Sequence, residues 1–214
     1  MKRRHLAGLA TLSWLGLARH AGAQAAPVAG QDYLKIPGAQ PTTTPPGTVD
    51  VVEFFSFACP HCFEFEPTLE SWLARKPAGV QFRRSPVPFL QNYSNFQPMY
   101  FALDAMGLAG TMPQKVFNAV HLEHQRLDKP EDIAAFMARN GVDAKRFMAL
   151  FNSFGVRTKV QQANALFEAD GVSAIGVPTL AVQGRWLTSP GQARGATQAL
   201  AVVDHLVAQE RAGH

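Results

Sequence analysis

Cysteine is scarce in this sequence of 214 residues: it occurs twice, as Cys59 and Cys62. So few cysteines argue against a fold that is held together by disulfides. A disulfide between these two would close a very small ring, which is worth about 2 kcal/mol of chain entropy, against about 3 kcal/mol for a fifteen-residue loop. The pair would be a weak structural cross-link, and it suits a bond that is exchanged.

Long hydrophobic runs are also missing. The apolar stretch at residues 6–18 is too short to span a bilayer comfortably, and no later segment offers the roughly 20 apolar residues of a membrane helix. Basic residues precede this stretch and Ala21-Gly22-Ala23 follows it, an order typical of a signal peptide cleaved after Ala23. We predict that residues 1–23 are removed on export and that the mature protein is soluble. The alternatives are an uncleaved anchor and, from Arg3-Arg4, twin-arginine instead of Sec export.

The mature chain would have no excess of charge of either sign. The full sequence has 20 Lys and Arg against 16 Asp and Glu, and residues 1–23 carry four of the basic residues and no acidic one, which leaves 16 of each. The pI of about 9.3 therefore belongs to the signal segment. Since no basic block remains that could follow a phosphate backbone, we do not expect nucleic acid as a partner.

Two β-strands flank the cysteines. Residues 49–57 and 79–87 have the length and the β-branched and aromatic content of buried strands, and the helix between them would begin at the cysteines. This order predicts a βαβ unit. Residues 24–48, which precede it, are rich in proline and show no sustained period apart from a candidate edge strand at residues 33–36, so we interpret them as an arm. The apolar face of the helix would consist of Phe65, Leu69 and Trp72.

The hydrophobic pattern changes to a helical period between residues 89 and 170. Asp128 and Asp143 are predicted to cap two helices, since aspartate accepts hydrogen bonds from free N–H groups at a helix start. These helices need a small core of their own. Five are expected: two that begin at these aspartates, and three with apolar faces at Phe96, Met99, Tyr100 and Leu103, at Val116 and Val120, and at Val160, Ala163 and Phe167.

Strand signals return near the C-terminus. Residues 177–183 and 185–187 would form a hairpin around Gln183-Gly184, and a last helix would follow. The predicted order is therefore β, α, β, helical insert, β, β, α. One face of the last helix would carry Leu200, Val203, Leu206 and Val207.

The most specific patterns are residues 53–66, Glu-Phe-Phe-Ser-Phe-Ala-Cys-Pro-His-Cys-Phe-Glu-Phe-Glu, and residues 176–179, Gly-Val-Pro-Thr. With them the sequence resembles the DsbA family, the thioredoxin-fold thiol oxidants of the bacterial periplasm. The resemblance covers the whole mature chain and implies an α/β, thioredoxin-like fold with an inserted all-helical domain. The thioredoxin-like domain would comprise residues 49–88 and 171–214, and the insert residues 89–170.

The resemblance also implies a function and its partners. A redox-active disulfide between Cys59 and Cys62 would oxidise newly exported proteins that have free cysteines, and a DsbB-like, quinone-linked membrane protein would restore it. Val177-Pro178 would be a cis peptide beside the disulfide, where the Val177 backbone pairs with an extended substrate; cis occurs in only about one X-Pro bond in twenty. The protein would be a periplasmic monomer with no cofactor beyond the disulfide.

The chemistry of the cysteines also follows from the residues themselves. Cys59, at a helix start, faces unpaired backbone N–H groups and the positive end of the helix dipole, which both favour its thiolate. His61 would add a second stabilising contribution, and Pro60 fits the first turn because no N–H is needed there. Cys62, one turn further on, would be the buried partner. A stabilised thiolate favours reduction, so we predict that the protein donates its disulfide through a mixed disulfide at Cys59.

Several charged residues bear on this reaction. Glu53 lies inside an apolar strand, and a buried acid has a raised pKa and can relay protons, so it could handle the Cys62 proton together with Arg84. The alternatives are a structural Glu53–Arg84 ion pair and a solvent-facing edge position. DsbA proteins often carry lysine where Arg84 aligns, and arginine cannot give up its proton, so a relay through a neutral amine is in doubt. Glu64 and Glu66 would disfavour the thiolate if they lie close to it.

Three other functions stay open. Zinc would need His121 and His124 beside the cysteines, but these histidines are distant in sequence, and we expect no metal. A secreted binding module with a structural disulfide leaves His61 and Glu53 unexplained. A thiol reductase would need a less stabilised thiolate, and a disulfide isomerase of this class usually needs a dimerisation domain, for which the arm is too short and irregular.

Overall fold

A computed structural model describes residues 26–42, 44–89 and 94–213, so the predicted signal peptide at residues 1–23 lies outside the described part of the chain. Of the helices within these ranges, none is both long and apolar enough to cross a membrane. The strands are β1 (Leu34–Lys35), β2 (Val49–Phe55), β3 (Val80–Pro86), β4 (Thr179–Val182) and β5 (Trp186–Thr188). The helices are α1 (Pro60–Leu73), α2 (Phe96–Ala105), α3 (Pro113–His121), α4 (Pro130–Arg139), α5 (Ala144–Phe151), α6 (Phe154–Ala169) and α7 (Ala196–Ala212), with a 3-10 turn at Val172–Ala174.

The five strands form one sheet in the order β1-β5-β4-β2-β3. β2 and β3 are parallel and are joined by α1, as the predicted βαβ unit requires, whereas β4, β5 and β1 pair antiparallel. All seven residues of β2 are buried, because the strand has a neighbour on each side and helices on both faces. The predicted edge strand of the arm is present as β1, which pairs with β5.

Three apolar clusters hold the elements together. One face of the sheet packs on α1 and α7 through Val51, Trp72 and Leu206, and the other face packs on the end of α6 through Phe54 and Val172. The third cluster consists mainly of side chains from α2 to α6, and it also contains both cysteines. The cysteines therefore lie where the sheet meets the helical region.

The five helices expected between residues 89 and 170 are all present, but one predicted cap is wrong. Asp143 caps α5 as predicted, since its side chain accepts the Arg146 N–H at 3.0 Å. Asp128 does not cap α4, because Pro130 is the first helical residue and the cap position therefore falls on Lys129. The Asp128 carboxylate instead accepts a hydrogen bond from Arg126 at 2.8 Å.

The strand ends differ from the predicted ones for local reasons. β2 ends at Phe55 instead of residue 57, because Ser56 opens a turn, and β4 begins at Thr179 because the preceding residues form a loop around Pro178. The predicted hairpin turn lies at Gln183-Gly184. Both of its residues have positive φ, at 52° and 59°, as a tight two-residue hairpin requires.

Candidate active site

The two cysteines lie at the turn between β2 and α1. The Ser56 carbonyl accepts the Cys59 N–H at 3.0 Å, and the Ser56 hydroxyl accepts the Ala58 N–H at 3.2 Å. Cys59 is the N-cap residue of α1 with extended backbone, φ −84° and ψ 117°, and Pro60 is the first helical residue. This turn points the free N–H groups of the first helical turn towards the Cys59 sulfur.

Cys59 is buried and lies against the other cysteine; both are free thiols in the structure. The pKa of Cys59 is lowered to about 6, chiefly because the Cys62 thiol donates a hydrogen bond to its sulfur. Burial opposes this effect, while the backbone N–H groups of Cys62 and His61 and the charge of His61 support it. The predicted acidic thiol is therefore present, but its main cause is the second cysteine.

Cys62 has the opposite character. Its side chain is fully buried, and burial raises its pKa far above the ordinary value, with further contributions from Cys59 and Glu53. The same helix start therefore holds one acidic sulfur and one sulfur that stays protonated. This difference orders the two thiols in any exchange reaction: Cys59 ionises first.

His61 lies at the surface and is 75% exposed. Its Nδ1 is 3.1 Å from a carboxylate oxygen of Glu64, and this hydrogen bond is the main reason why the pKa of His61 is raised. Glu64 therefore pairs with the imidazole and does not stand alone beside the thiolate. A protonated His61 in turn favours the Cys59 thiolate.

The loop before β4 covers the other side of Cys59. Val177-Pro178 is a cis peptide, as the resemblance implied, and the Cys59 thiol donates to the Val177 carbonyl oxygen at 3.4 Å. An open groove of about 500 Å³ runs past this loop. Among its lining residues are His61, Phe65, Ile175, Val177, Pro178 and Pro190.

A buried cluster of charges lies behind Cys62. Glu53 on β2 is directly opposite Arg84 on β3, and Arg84 Nε donates to a Glu53 carboxylate oxygen at 2.8 Å. Arg84 also donates to Glu66 at 2.7 Å and to the half-exposed Glu70 at 3.3 Å. Burial raises the pKa of Glu53, and Arg84 lowers it by less; burial likewise raises the pKa of Glu66 to about 7. The predicted Glu53–Arg84 ion pair is present and buried, so the solvent-facing alternative is wrong.

Glu66 is the residue of this cluster that sequence reasoning missed. We treated it as a charge beside the Cys59 thiolate, whereas the structure places it at Arg84 on the sheet side of α1. The helical period contained the signal, since Glu66 follows Cys62 by four residues and therefore shares its buried face.

The two histidines of the zinc hypothesis do not join the cysteines. His121 Nε2 lies 2.8 Å from the Phe57 carbonyl oxygen, and His124 is exposed. In the part of the chain that the structure describes, no group of three or more His, Cys, Asp or Glu residues could hold a metal ion. The geometry gives the zinc hypothesis no support.

Comparison with known proteins agrees with this site. Residues 50–205 match the family of DSBA-like thioredoxin domains. The chain is 37% identical over 185 residues to the thiol:disulfide interchange protein DsbA of Burkholderia cepacia, and the alignment covers 86% of each protein. It is 36% identical over 204 residues to the Pseudomonas aeruginosa protein of that name, which covers 95% of this chain and 94% of the relative. The crystal structure of Pseudomonas aeruginosa DsbA superimposes with a TM-score of 0.81 at 35% identity, over 87% of this chain and 95% of that one.

The matched region includes both cysteines, the buried charges and the cis-proline loop. Fold, sequence and the unequal acidity of the two thiols therefore agree. The chain belongs to the DsbA-like family of thioredoxin-fold proteins and is a thiol:disulfide oxidoreductase.

Proposed function

We propose that this protein is a periplasmic oxidant that donates a Cys59–Cys62 disulfide to newly exported proteins. The observation that carries the proposal is the difference between the two thiols: Cys59 has a pKa of about 6, whereas that of the buried Cys62 lies far above its ordinary value. Because reduction releases a stable thiolate at Cys59, the disulfide form is the less favoured one in the presence of substrate thiols.

The exchange takes two steps. A substrate thiolate attacks the Cys59 sulfur, the Cys59–Cys62 bond breaks, and Cys62 leaves with the electron pair and takes up a proton. A second substrate thiolate then attacks the substrate sulfur of the mixed disulfide, and Cys59 leaves as a thiolate. The substrate gains a disulfide, and the protein is left as the dithiol. Cys62 also offers a way back, since it can attack the mixed disulfide and expel a trapped substrate.

The proton for Cys62 is the proposed task of Glu53. This carboxyl group has a raised pKa and influences the pKa of Cys62, so it lies close enough to act on that thiol. Burial alone would lower the pKa of Arg84, but Glu53 and Glu66 together raise it, so the guanidinium stays charged. Arg84 would therefore position the carboxylates without passing a proton itself.

Substrate binding is assigned to the cis-proline loop and the groove beside it. Val177 would pair with an extended substrate segment, as edge backbone groups do. The neighbouring groove has both apolar and polar walls, among them Phe65 and His61, which suits one or two side chains of many different substrates. Pro60 would keep the first turn of α1 fixed without the loss of a needed N–H group.

The remaining parts of the proposal are organisation and partners. We propose a signal peptide at residues 1–23, an arm at residues 24–48, a thioredoxin-like domain of residues 49–88 and 171–214, and an insert at residues 89–170. A DsbB-like, quinone-linked membrane protein would reoxidise the dithiol. The protein would act as a monomer, with the disulfide as its only redox group.

A transfer assay tests the function. A reduced, unfolded protein that needs disulfides for activity is mixed with one equivalent of the oxidised enzyme, and free thiols of both partners are counted with time. We expect rapid loss of substrate thiols and an equal gain of enzyme thiols. Cys59→Ser should abolish transfer, whereas Cys62→Ser should accumulate mixed disulfides, because the thiol that releases a trapped substrate is missing. Transfer no faster than with oxidised glutathione would refute the proposal.

A further inference from the structure

His121, the last residue of α3, contacts the chain on both sides of the cysteine motif. Its Nε2 lies 2.8 Å from the carbonyl oxygen of Phe57, two residues before Cys59. Its ring stacks on Phe63, the residue after Cys62, with ring centroids 5.0 Å apart and planes inclined by 12°. One side chain from the helical region therefore touches both the turn that leads to the motif and the helix that leaves it.

The chemistry of this contact fixes the tautomer of His121. A carbonyl oxygen can only accept a hydrogen bond, so Nε2 must carry the hydrogen and donate it to Phe57. Phe57 lies beyond the end of β2, and its carbonyl belongs to the same turn whose Ser56 carbonyl accepts the Cys59 N–H. The His121 side chain therefore supplies a donor to the turn that presents the Cys59 sulfur.

We propose that His121 is a positioning residue for the exchange reaction, which holds this turn and thereby keeps the Cys59 thiolate stabilised. The proposal rests on the proposed function and concerns the same site. Two effects act in one direction. An imidazole N–H partly cancels the negative end of the Phe57 carbonyl dipole, which otherwise disfavours a nearby thiolate. A fixed turn also keeps the backbone N–H groups of His61 and Cys62 aimed at the sulfur, where they lower its pKa.

The competing explanation is that His121 only fills space beside Phe63 and Phe117. Two substitutions separate the donor from the ring. His121→Gln keeps a side-chain N–H donor and removes the stacked ring, whereas His121→Phe keeps an aromatic ring and removes the donor. If the hydrogen bond positions the turn, the acidity of Cys59 follows the donor; a packing role affects only the stability of the fold.

The experiment is a pH titration of the thiolate ultraviolet absorbance in the reduced full-length mature protein. Only Cys59 titrates near neutrality, because the pKa of Cys62 is raised far above it. We expect His121→Phe to raise the midpoint by about half a unit or more, a threefold loss in the ionisation constant, and His121→Gln to stay near the wild-type midpoint. His121→Leu, which also lacks a donor, makes the same comparison if the phenylalanine variant does not fold.

A neighbouring histidine provides the matched control. His124 is exposed, and its φ of 53° is one that asparagine tolerates, so His124→Asn removes an imidazole from the same loop without strain. Its midpoint should equal that of the wild type. The inference is overturned if the donor-free variants titrate like the wild type, or if His121→Gln shifts as far as they do. A wild-type midpoint near the ordinary value of about 8.5 would instead refute the proposed function itself.

Discussion

Glu53 and Arg84 lie directly opposite each other on neighbouring parallel strands, joined by a 2.8 Å hydrogen bond with both side chains buried. Glu66 adds a second buried carboxylate to the same guanidinium. Two buried acids and one buried cation leave an excess of negative charge, and such an excess favours the uptake of a proton. The pKa values of both carboxyl groups are accordingly raised, chiefly by burial. The cluster therefore holds a proton behind Cys62, where the leaving thiolate needs one.

Removal of Arg84 tests whether the cluster depends on its one cation. Arg84→Met leaves the carboxylates of Glu53 and Glu66 buried without a counter-charge, so we expect the free energy of unfolding at pH 8 to fall by about 3–5 kcal/mol. Urea melts of the oxidised protein measure the change. Glu70→Gln, which alters only the half-exposed third partner, should cost less than about 1 kcal/mol. A loss of similar size in both variants would contradict the central place of Arg84.

Glu66 should make the protein less stable as the pH rises. Its pKa is 4.5 in an ordinary environment and about 7 in the folded protein, so the folded state binds the proton more tightly. The resulting stability is fully present below pH 4.5, declines through the interval between the two values, and is lost above about pH 7. The full effect is about 3 kcal/mol.

Oxidised protein should be used for this measurement, because the Cys59 thiolate then contributes nothing. Denaturant melts at several pH values between 5 and 8 should show a clear decline for the wild type and a much smaller one for Glu66→Gln. Equal slopes in the two proteins would show that Glu66 is ionised throughout this range.

The acidity of Cys59 should depend more on Cys62 than on His61. The Cys62 thiol is the largest cause of the lowered pKa, whereas the exposed His61 acts weakly and is paired with Glu64. Cys62→Ala should therefore raise the Cys59 midpoint further than His61→Ala does. Cys62→Ser retains an O–H donor and should lie between the wild type and Cys62→Ala. Thiolate absorbance gives all four midpoints, and a larger shift in His61→Ala would reverse the order of causes that we infer.

The relative stability of the two redox forms should change sign with pH. The pKa of Cys59 is lowered from 9.0 to about 6 in the folded dithiol, so ionisation stabilises the reduced form above pH 6 and the effect is lost below it. At pH 8 it amounts to about 3 kcal/mol, more than the about 2 kcal/mol that so small a disulfide ring offers. At pH 5 the disulfide contribution alone remains.

Paired urea melts of oxidised and reduced protein check this expectation. The reduced form should resist higher urea at pH 8, and the oxidised form at pH 5. Cys59→Ser, which has neither the disulfide nor the thiolate, should show no such change. An oxidised form that is the more stable one at both pH values would mark the bond as a structural cross-link.

Local patterns predicted most of the fold. The strand β2, the face of α7 and the cap at Asp143 each depend on a few neighbouring residues, and all three are present. The prediction for Asp128 was wrong because two start signals stood next to each other, and Pro130 decided which residue precedes the helix. The cis form of Val177-Pro178 came from the family resemblance alone, since the energy difference between cis and trans is too small for the sequence to decide it.

The site was predictable in its reacting residues and less so in their surroundings. A motif of four residues identifies Cys59 and Cys62, but the partners of Arg84 depend on how α1 packs on β3. The contact of His121 with Phe57 spans 64 residues, and no local pattern indicates it. Hydrogen bonds between distant side chains and loop carbonyls need the tertiary structure.

The redox equilibrium of the purified protein with glutathione tests the oxidant function most directly. The protein is equilibrated at pH 7 in mixtures of reduced and oxidised glutathione, the exchange is stopped with acid, and the dithiol fraction is counted. A stabilised Cys59 thiolate predicts a potential above about −180 mV, the value of protein disulfide isomerase, and towards the known value for DsbA of about −120 mV. A potential near that of thioredoxin, about −270 mV, would contradict the oxidant function and indicate a thiol reductase.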